Sequence, residues 1–223
     1  MSNQNSLPDL SGAGCVHLCV DMQRLFAEPT DWHTPWMTRI LPAVRRITNE
    51  HASRTIFTRF MPVERPGEGH GLWKKYYERW PTMTVEQLGR DMVELVPDLA
   101  AFVPPAAVVD KQVYSPWLTD TLQQKLKALE ADTLVVTGGE TDVCVLATVL
   151  GAVDHGYRIV VVTDALCSSS DATHDSMLGL YSNRFGQQVE TATTEEVLLA
   201  WPGAAQGNSS DRRVVPQAKS LYA

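Results

Sequence analysis

The sequence predicts a three-layer α/β/α fold with a mostly parallel central sheet of about six strands. Three observations carry this. Short β-branched runs recur that are continuously apolar rather than alternating, as expected of strands buried on both faces. Between them lie segments with apolar residues at three-to-four spacing. The two kinds of segment alternate through nearly the whole chain.

The predicted strands are Cys15 to Asp21, Arg54 to Phe60, Ala106 to Lys111, Asp132 to Gly138 and Arg158 to Ala165, with a weaker one near Gln187. The first predicted helix carries Ile40, Val44 and Ile47 on one face, with Pro42 at an early turn. A second places Leu122, Leu126 and Leu129 together. A third runs through "DVCVLATVLGAVDHG" and stops at Gly156, a residue suited to a helix C-cap. Two more cover "SSDATHDSMLGLYSNRFG" and "TTEEVLLAW".

Residues 1–14 read as a lead segment, 15–202 as the catalytic-sized domain, and 203–223 as a tail. Val214, Val215, Leu221 and Tyr222 would let that tail dock as an arm on a second subunit. Met61 to Met83 stands outside the repeating pattern, Pro- and Gly-rich at first and then aromatic.

At 223 residues the chain is long enough for one domain with a sizeable core. The net charge of -7 argues against nucleic acid or an anionic membrane as partner. No apolar run approaches the ~20 residues of a membrane span, and the N-terminal residues lack the pattern of a signal peptide. The four cysteines show neither a CxxC pair nor the density of a disulfide scaffold, which suits a reduced, cytoplasmic setting.

Ligands of such sheets bind beyond the carboxyl ends of the strands. The first strand delivers Asp21 there, the third Lys111, and the fourth runs through "GGETDVC" to Cys144 on the first turn of a helix. Taken singly, each has an ordinary reading: a capping aspartate, a solvated lysine, a small apolar residue. Together they form a chemical set. The helix N-terminus and Lys111 would favour a thiolate at Cys144. Asp21 would take the thiol proton and later pass it to a leaving amine. Free N–H groups at the helix start would hold an oxyanion. Cys15, Cys19 and Cys167 lie in or beside apolar strands and read as core.

The order Asp21, Lys111, Cys144, within "VDMQ", "DKQVYSPW" and "TGGETDVCVLATVLGAVDHGYRIVVVTDAL", resembles the isochorismatase-like cysteine hydrolases. The likeness spans about residues 15 to 200, and TG-x-x-T-x-x-CV followed by A-x-x-x-G-Y is its most specific part. The resemblance implies an Asp–Lys–Cys triad, a cis peptide between Gly139 and Glu140, and an oxyanion hole from the Glu140 and Cys144 N–H groups. It also implies a dimer or tetramer, and a pocket that Phe26 and Trp117 help to line. Gln23 and Trp32 near the first strand's end, and Glu140 beside the nucleophile, complete the expected pocket.

The chain departs from one branch of that family. Nicotinamidases hold a metal through an aspartate and histidine just after the second strand, where Phe60 and Pro62 stand here. No catalytic metal and no cofactor are expected, and nicotinamide is disfavoured. "DWH" at Asp31 to His33 reads as a coincidence, a cap beside a surface histidine. Glu140 has two open readings, contact with a polar or cationic substrate group or exposure to solvent.

Trp73, Tyr77 and Trp80 at helical spacing, interleaved with basic residues, read as aromatics packed over the sheet, as a subunit contact, or as a lid. The expected activity is metal-independent cleavage of a carbon–nitrogen bond in a small amide, imide, ureide or carbamoyl compound through a thioester. Vinyl ether hydrolysis of the isochorismatase type and a non-catalytic binding protein are the alternatives. A haloacid-dehalogenase-type phosphatase is excluded because Gln23 stands where it needs a second acid, and "GGETD" is too short to cradle a nucleotide phosphate.

Overall fold

The computed structural model of the chain describes residues 7, 9–12 and 14–203. The expected arm therefore lies outside the described residues, apart from Gly203. In chain order the elements are β1 (Cys15–Val20), α1 (Arg24–Ala27), α2 (Met37–Glu50), β2 (Thr55–Phe60), α3 (Trp73–Arg79), α4 (Val85–Leu88), α5 (Pro97–Ala100) and β3 (Ala107–Lys111). They continue with α6 (Asp120–Ala128), β4 (Thr133–Gly139), α7 (Cys144–Asp154), β5 (Arg158–Cys167), α8 (Asp171–Arg184), β6 (Val189–Ala192) and α9 (Thr194–Ala200).

All six strands pair in parallel, in the order β3-β2-β1-β4-β5-β6. Strand order reverses between β1 and β4, and such a switch point opens a crevice at the carboxyl ends of the strands.

Alternation along the strands divides the core in two. Val16, Leu18 and Val20 of β1 and Leu134 and Val136 of β4 pack with Leu122 and Leu126 of α6 and Val145 and Val149 of α7. On the other face, Cys15, Cys19 and Val135 pack with Ile40, Val44 and Ile47 of α2 and Val197 of α9. Cys15, Cys19 and Cys167 are thus core residues, as their apolar surroundings suggested. Pro42 lies inside α2, in its second turn. In the lead segment, Leu10 is buried and its N–H donates to the Ala200 carbonyl at 2.8 Å.

His17 is the polar exception in the centre of β1. It is fully buried, with Nε2 2.8 Å from Thr137 Oγ1 and Nδ1 3.2 Å from Thr55 Oγ1. It therefore links the three central strands. Burial, helped by the charge of His51, lowers its pKa to about 3. A histidine depressed in this way supports the fold fully above its unfolded value, and that support is lost as pH falls through ~6.5 toward the folded value. Denaturant melts between pH 7 and 5 should show stability falling by up to ~1.4 kcal/mol per pH unit from this group. His17→Gln should flatten that slope; an unchanged slope would assign it elsewhere.

Gly138 carries the tightest backbone approach. Its φ is +106°, and a Cβ there would sit 2.1 Å from the carbonyl oxygen of Val20, its register partner on β1, at the point where the pairing of β4 with β5 shifts register. Gly138→Ala should cost ~1–3 kcal/mol through backbone strain, and more through the clash. Chemical denaturation would read the loss, and wild-type stability would contradict the close approach.

Candidate active site

Three strand ends meet at the switch point. β1 ends at Val20, and the next residue, Asp21, takes a left-handed φ of +49°. Its N–H donates to the Thr58 carbonyl at 3.2 Å, and the Thr58 hydroxyl donates to Asp21 Oδ1 at 2.5 Å. Thr58, on β2, thereby fixes the carboxylate. Lys111, the last residue of β3, donates from Nζ to Asp21 Oδ2 at 2.6 Å and to the Val113 carbonyl at 3.3 Å. The same ammonium lies 5.2 Å from the Phe60 ring centroid, within cation–π range. The two charged side chains are 3% and 0% exposed, so each depends on the other for neutralisation.

Cys144 is the first residue of α7 and is buried against this pair. Helix end and lysine were expected to lower its pKa, and the balance goes the other way. Burial raises the thiol well above its ordinary value, the Asp21 carboxylate raises it further, and Lys111 opposes both. At Lys111, burial works against the charge, but Asp21 and Cys144 outweigh it and hold the ammonium above its usual value. The resting arrangement is therefore a thiol beside a buried carboxylate–ammonium pair. The other cysteines are also raised by burial, Cys15 and Cys19 to about 12.

The Gly139–Glu140 peptide is cis. The Glu140 carbonyl accepts from the N–H groups of Val143 and Val145, at 3.1 and 3.0 Å. Among the described residues, the Glu140 and Cys144 N–H groups have no protein acceptor.

Cys144 opens onto a cavity of about 290 Å³. Its walls are aromatic, with Phe26, Trp32, Phe60, Tyr76, Trp80 and Tyr114, and its polar lining comprises Asp31, His33, Glu140 and Ser169. Phe26 and Trp32 stack at 6.2 Å, and Trp32 meets Phe60 edge-on at 5.8 Å.

Two expected pocket residues lie elsewhere. Gln23 is fully buried as a clamp: Nε2 donates to the carbonyls of Phe60 and Val93 at 3.0 and 2.6 Å, and Oε1 accepts from the Phe60 N–H at 2.7 Å. Trp117 packs on α7, where Gly151 leaves a notch; a Cβ at Gly151 would fall 2.1 Å from the indole. Its Nε1 donates to the Thr148 carbonyl at 2.9 Å, and its ring stacks on Tyr157.

The "DWH" residues, expected as a cap beside a surface histidine, all line the cavity, Asp31 from an exposed position. Asp31 also accepts from the Thr82 hydroxyl, joining this loop to the crossover between β2 and β3. Tyr76 and Tyr114 were not singled out from the sequence. Tyr76 lies on the same aromatic helix as Trp73 and Tyr77, and that face was the available signal. Among the described residues, no group of three or more His, Cys, Asp or Glu side chains is placed to hold a metal ion. Nor does a described helix have the length and apolarity to cross a membrane.

The family model described as the isochorismatase domain matches residues 15–193. The chain belongs to the isochorismatase family. Within the family it is 34% identical over 106 residues to the maleamate amidohydrolase of Pseudomonas putida, covering 45% of this chain and 49% of that protein. The chain thus spans about half the length of that curated relative. A phenazine biosynthesis protein of Pseudomonas aeruginosa is 29% identical over 185 residues, 82% of this chain and 84% of its own.

Among solved structures, a cysteine hydrolase from Pseudomonas syringae superposes with a TM-score of 0.66 at 24% identity, covering 90% of this chain and 98% of that one. An N-carbamoylsarcosine amidase from Thermoplasma acidophilum does so with 0.63 at 22%, covering 81% and 96%. At these identities the structures establish the shared isochorismatase-like fold.

The electrostatics can be tested by alkylation read by peptide mass. In the unmodified protein, the Cys144 rate should still be rising beyond the ordinary thiol value of 9.0. Asp21→Asn removes the neighbouring anion and should move the rise to lower pH, while Lys111→Met should move it higher. A Cys144 that titrates below the ordinary thiol range in the unmodified protein would refute this arrangement.

Proposed function

We propose that this isochorismatase-family hydrolase cleaves a carbon–nitrogen bond of a small amide-type compound, with Cys144 as nucleophile and a thioester as intermediate. The observation that carries the reading is the convergence of Asp21, Lys111 and Cys144 at the switch point, with the thiol opening onto the aromatic cavity. An amidohydrolase and an amidase among the related proteins agree with it.

In this mechanism the raised thiol pKa is not an obstacle. Moving the proton from Cys144 to Asp21 converts a thiol and a carboxylate into a thiolate and a carboxylic acid. The net charge of the buried site is unchanged, and Lys111 stays beside an anion throughout. Such a transfer avoids exposing an uncompensated charge to a low-dielectric site.

The thiolate attacks the carbonyl carbon, and the oxyanion is held by the N–H groups of Glu140 and Cys144. Asp21 then protonates the leaving nitrogen, so ammonia or an amine departs as the thioester forms. Water, deprotonated by the regenerated Asp21 carboxylate, hydrolyses the thioester and restores the thiol. The overall reaction consumes one water per bond cleaved, so its products are an acid and an amine.

Ammonia release from a panel of small amides tests the reading. Cys144→Ala should reduce turnover to background, and Asp21→Asn should reduce it ~10²–10⁴-fold, the usual value of a positioned acid–base group. Rapid acid quench should trap the acyl group on the Cys144 peptide. Ammonia release that survives Cys144→Ala would overturn the thioester route. Cleavage of a vinyl ether that persists in Cys144→Ala would point to isochorismatase-type hydrolysis, and no turnover of either substrate class would favour a binding protein.

A further inference from the structure

The charge of the cavity reaches beyond the reaction to the kind of molecule it serves. Its ionisable lining consists of the Asp31 and Glu140 carboxylates, the imidazole of His33 and the thiol and phenols already described, with no lysine or arginine among the described lining residues. Lys111, the ammonium beside Cys144, is already neutralised by Asp21 at 2.6 Å. An anionic group entering this space would therefore face two carboxylates with no free fixed cation to meet it.

Glu140 is also held in a defined pose. Its Oε1 accepts from the Ser169 N–H at 3.0 Å and from the Thr34 hydroxyl at 3.2 Å. Its Oε2 has no hydrogen-bond partner among the described residues. A carboxylate anchored through one oxygen leaves the other as a ready acceptor at little further cost in side-chain entropy. Phe26, Trp32, Tyr76 and Trp80 supply ring surface around the same space. Aromatic faces attract cations. Carboxylate and rings thus favour the same ligand charge by different physics.

We propose that Glu140 is the specificity-determining residue of this site, selecting small amides that carry a cationic nitrogen, such as an ammonium or amidinium, and rejecting those that carry a carboxylate. The selection rests on the amide-hydrolase reading for its reaction but not for its binding, so the two can fail separately.

The test uses the full chain and three matched probes: 4-(aminomethyl)benzamide, 4-methylbenzamide and 4-carboxybenzamide. Ammonia release gives kcat/KM for each. Calorimetric binding of 4-methylbenzylamine and 4-methylbenzoate measures charge preference without any turnover. The expected result is a cation-over-anion preference of ~10–100-fold, the range of one charge-assisted hydrogen bond, in both measurements. Glu140→Gln should cut that ratio about tenfold, mainly through KM, while Asp31→Asn should cut it less.

Equal binding of amine and benzoate by the unmodified protein, or a benzoate preference, would overturn the proposal, and this outcome does not depend on any variant folding. A ratio unchanged in a folded Glu140→Gln protein would also overturn it. Amine-selective binding with no ammonia released from any probe would sustain the charge selection and count against the hydrolase reading alone.

Discussion

The Lys111–Asp21 ion pair governs the architecture of this site. Two full charges are buried at the carboxyl edge of the sheet, and desolvation alone would cost several kcal/mol for each. The structure offsets this with a 2.6 Å contact, the Thr58 hydroxyl on the second carboxylate oxygen, the Val113 carbonyl on the ammonium, and the Phe60 ring face beside it. Those partners come from β1, β2, β3 and the turn after β3. The strands must therefore end level with one another, as the pairings of Phe60 with Lys111 and of Val20 with Gly138 show. A slip of one residue in either strand would leave a buried charge alone.

The same pair sets the chemistry available to Cys144. Beside an isolated lysine the thiol would be driven toward thiolate, and beside an isolated aspartate it would be locked as a thiol. Between them it keeps its proton with an acceptor next to it. That is a different device from the helix-end activation suggested by sequence position, because the burial that excludes water from the site also opposes a free thiolate.

What was legible in the sequence is what depends on periodicity and chain order. Continuous apolar runs marked the inner strands β1, β2, β4 and β5, since residues buried on both faces leave no polar face to disguise the pattern. The edge strands β3 and β6 are only partly buried, and β6 was the weaker expectation. Asp21, Lys111 and Cys144 could be grouped because parallel strands deliver their C-terminal residues to one edge. The wall residues were harder. Asp31, His33 and Tyr76 sit in segments without strand or long-helix periodicity, and only their tertiary path brings them to the thiol. Trp117 was misplaced because its partner is an absence, the missing side chain of Gly151 on the next helix. Gln23 was misplaced because a buried amide that satisfies three backbone groups reads, in sequence, like one free to meet a ligand.

The long crossover between β2 and β3 has a wider consequence. Tyr76 and Trp80 belong to it, and it meets the loop after β1 through the Asp31–Thr82 contact, whereas Asp21, Lys111 and Cys144 lie at the sheet edge and the start of α7. Part of the pocket wall is thus encoded apart from the Asp21, Lys111 and Cys144 set, while Glu140, just before α7, belongs to both. Lengthening or exchanging this crossover would reshape the cavity wall while leaving the sheet edge that holds Asp21, Lys111 and Cys144 unchanged.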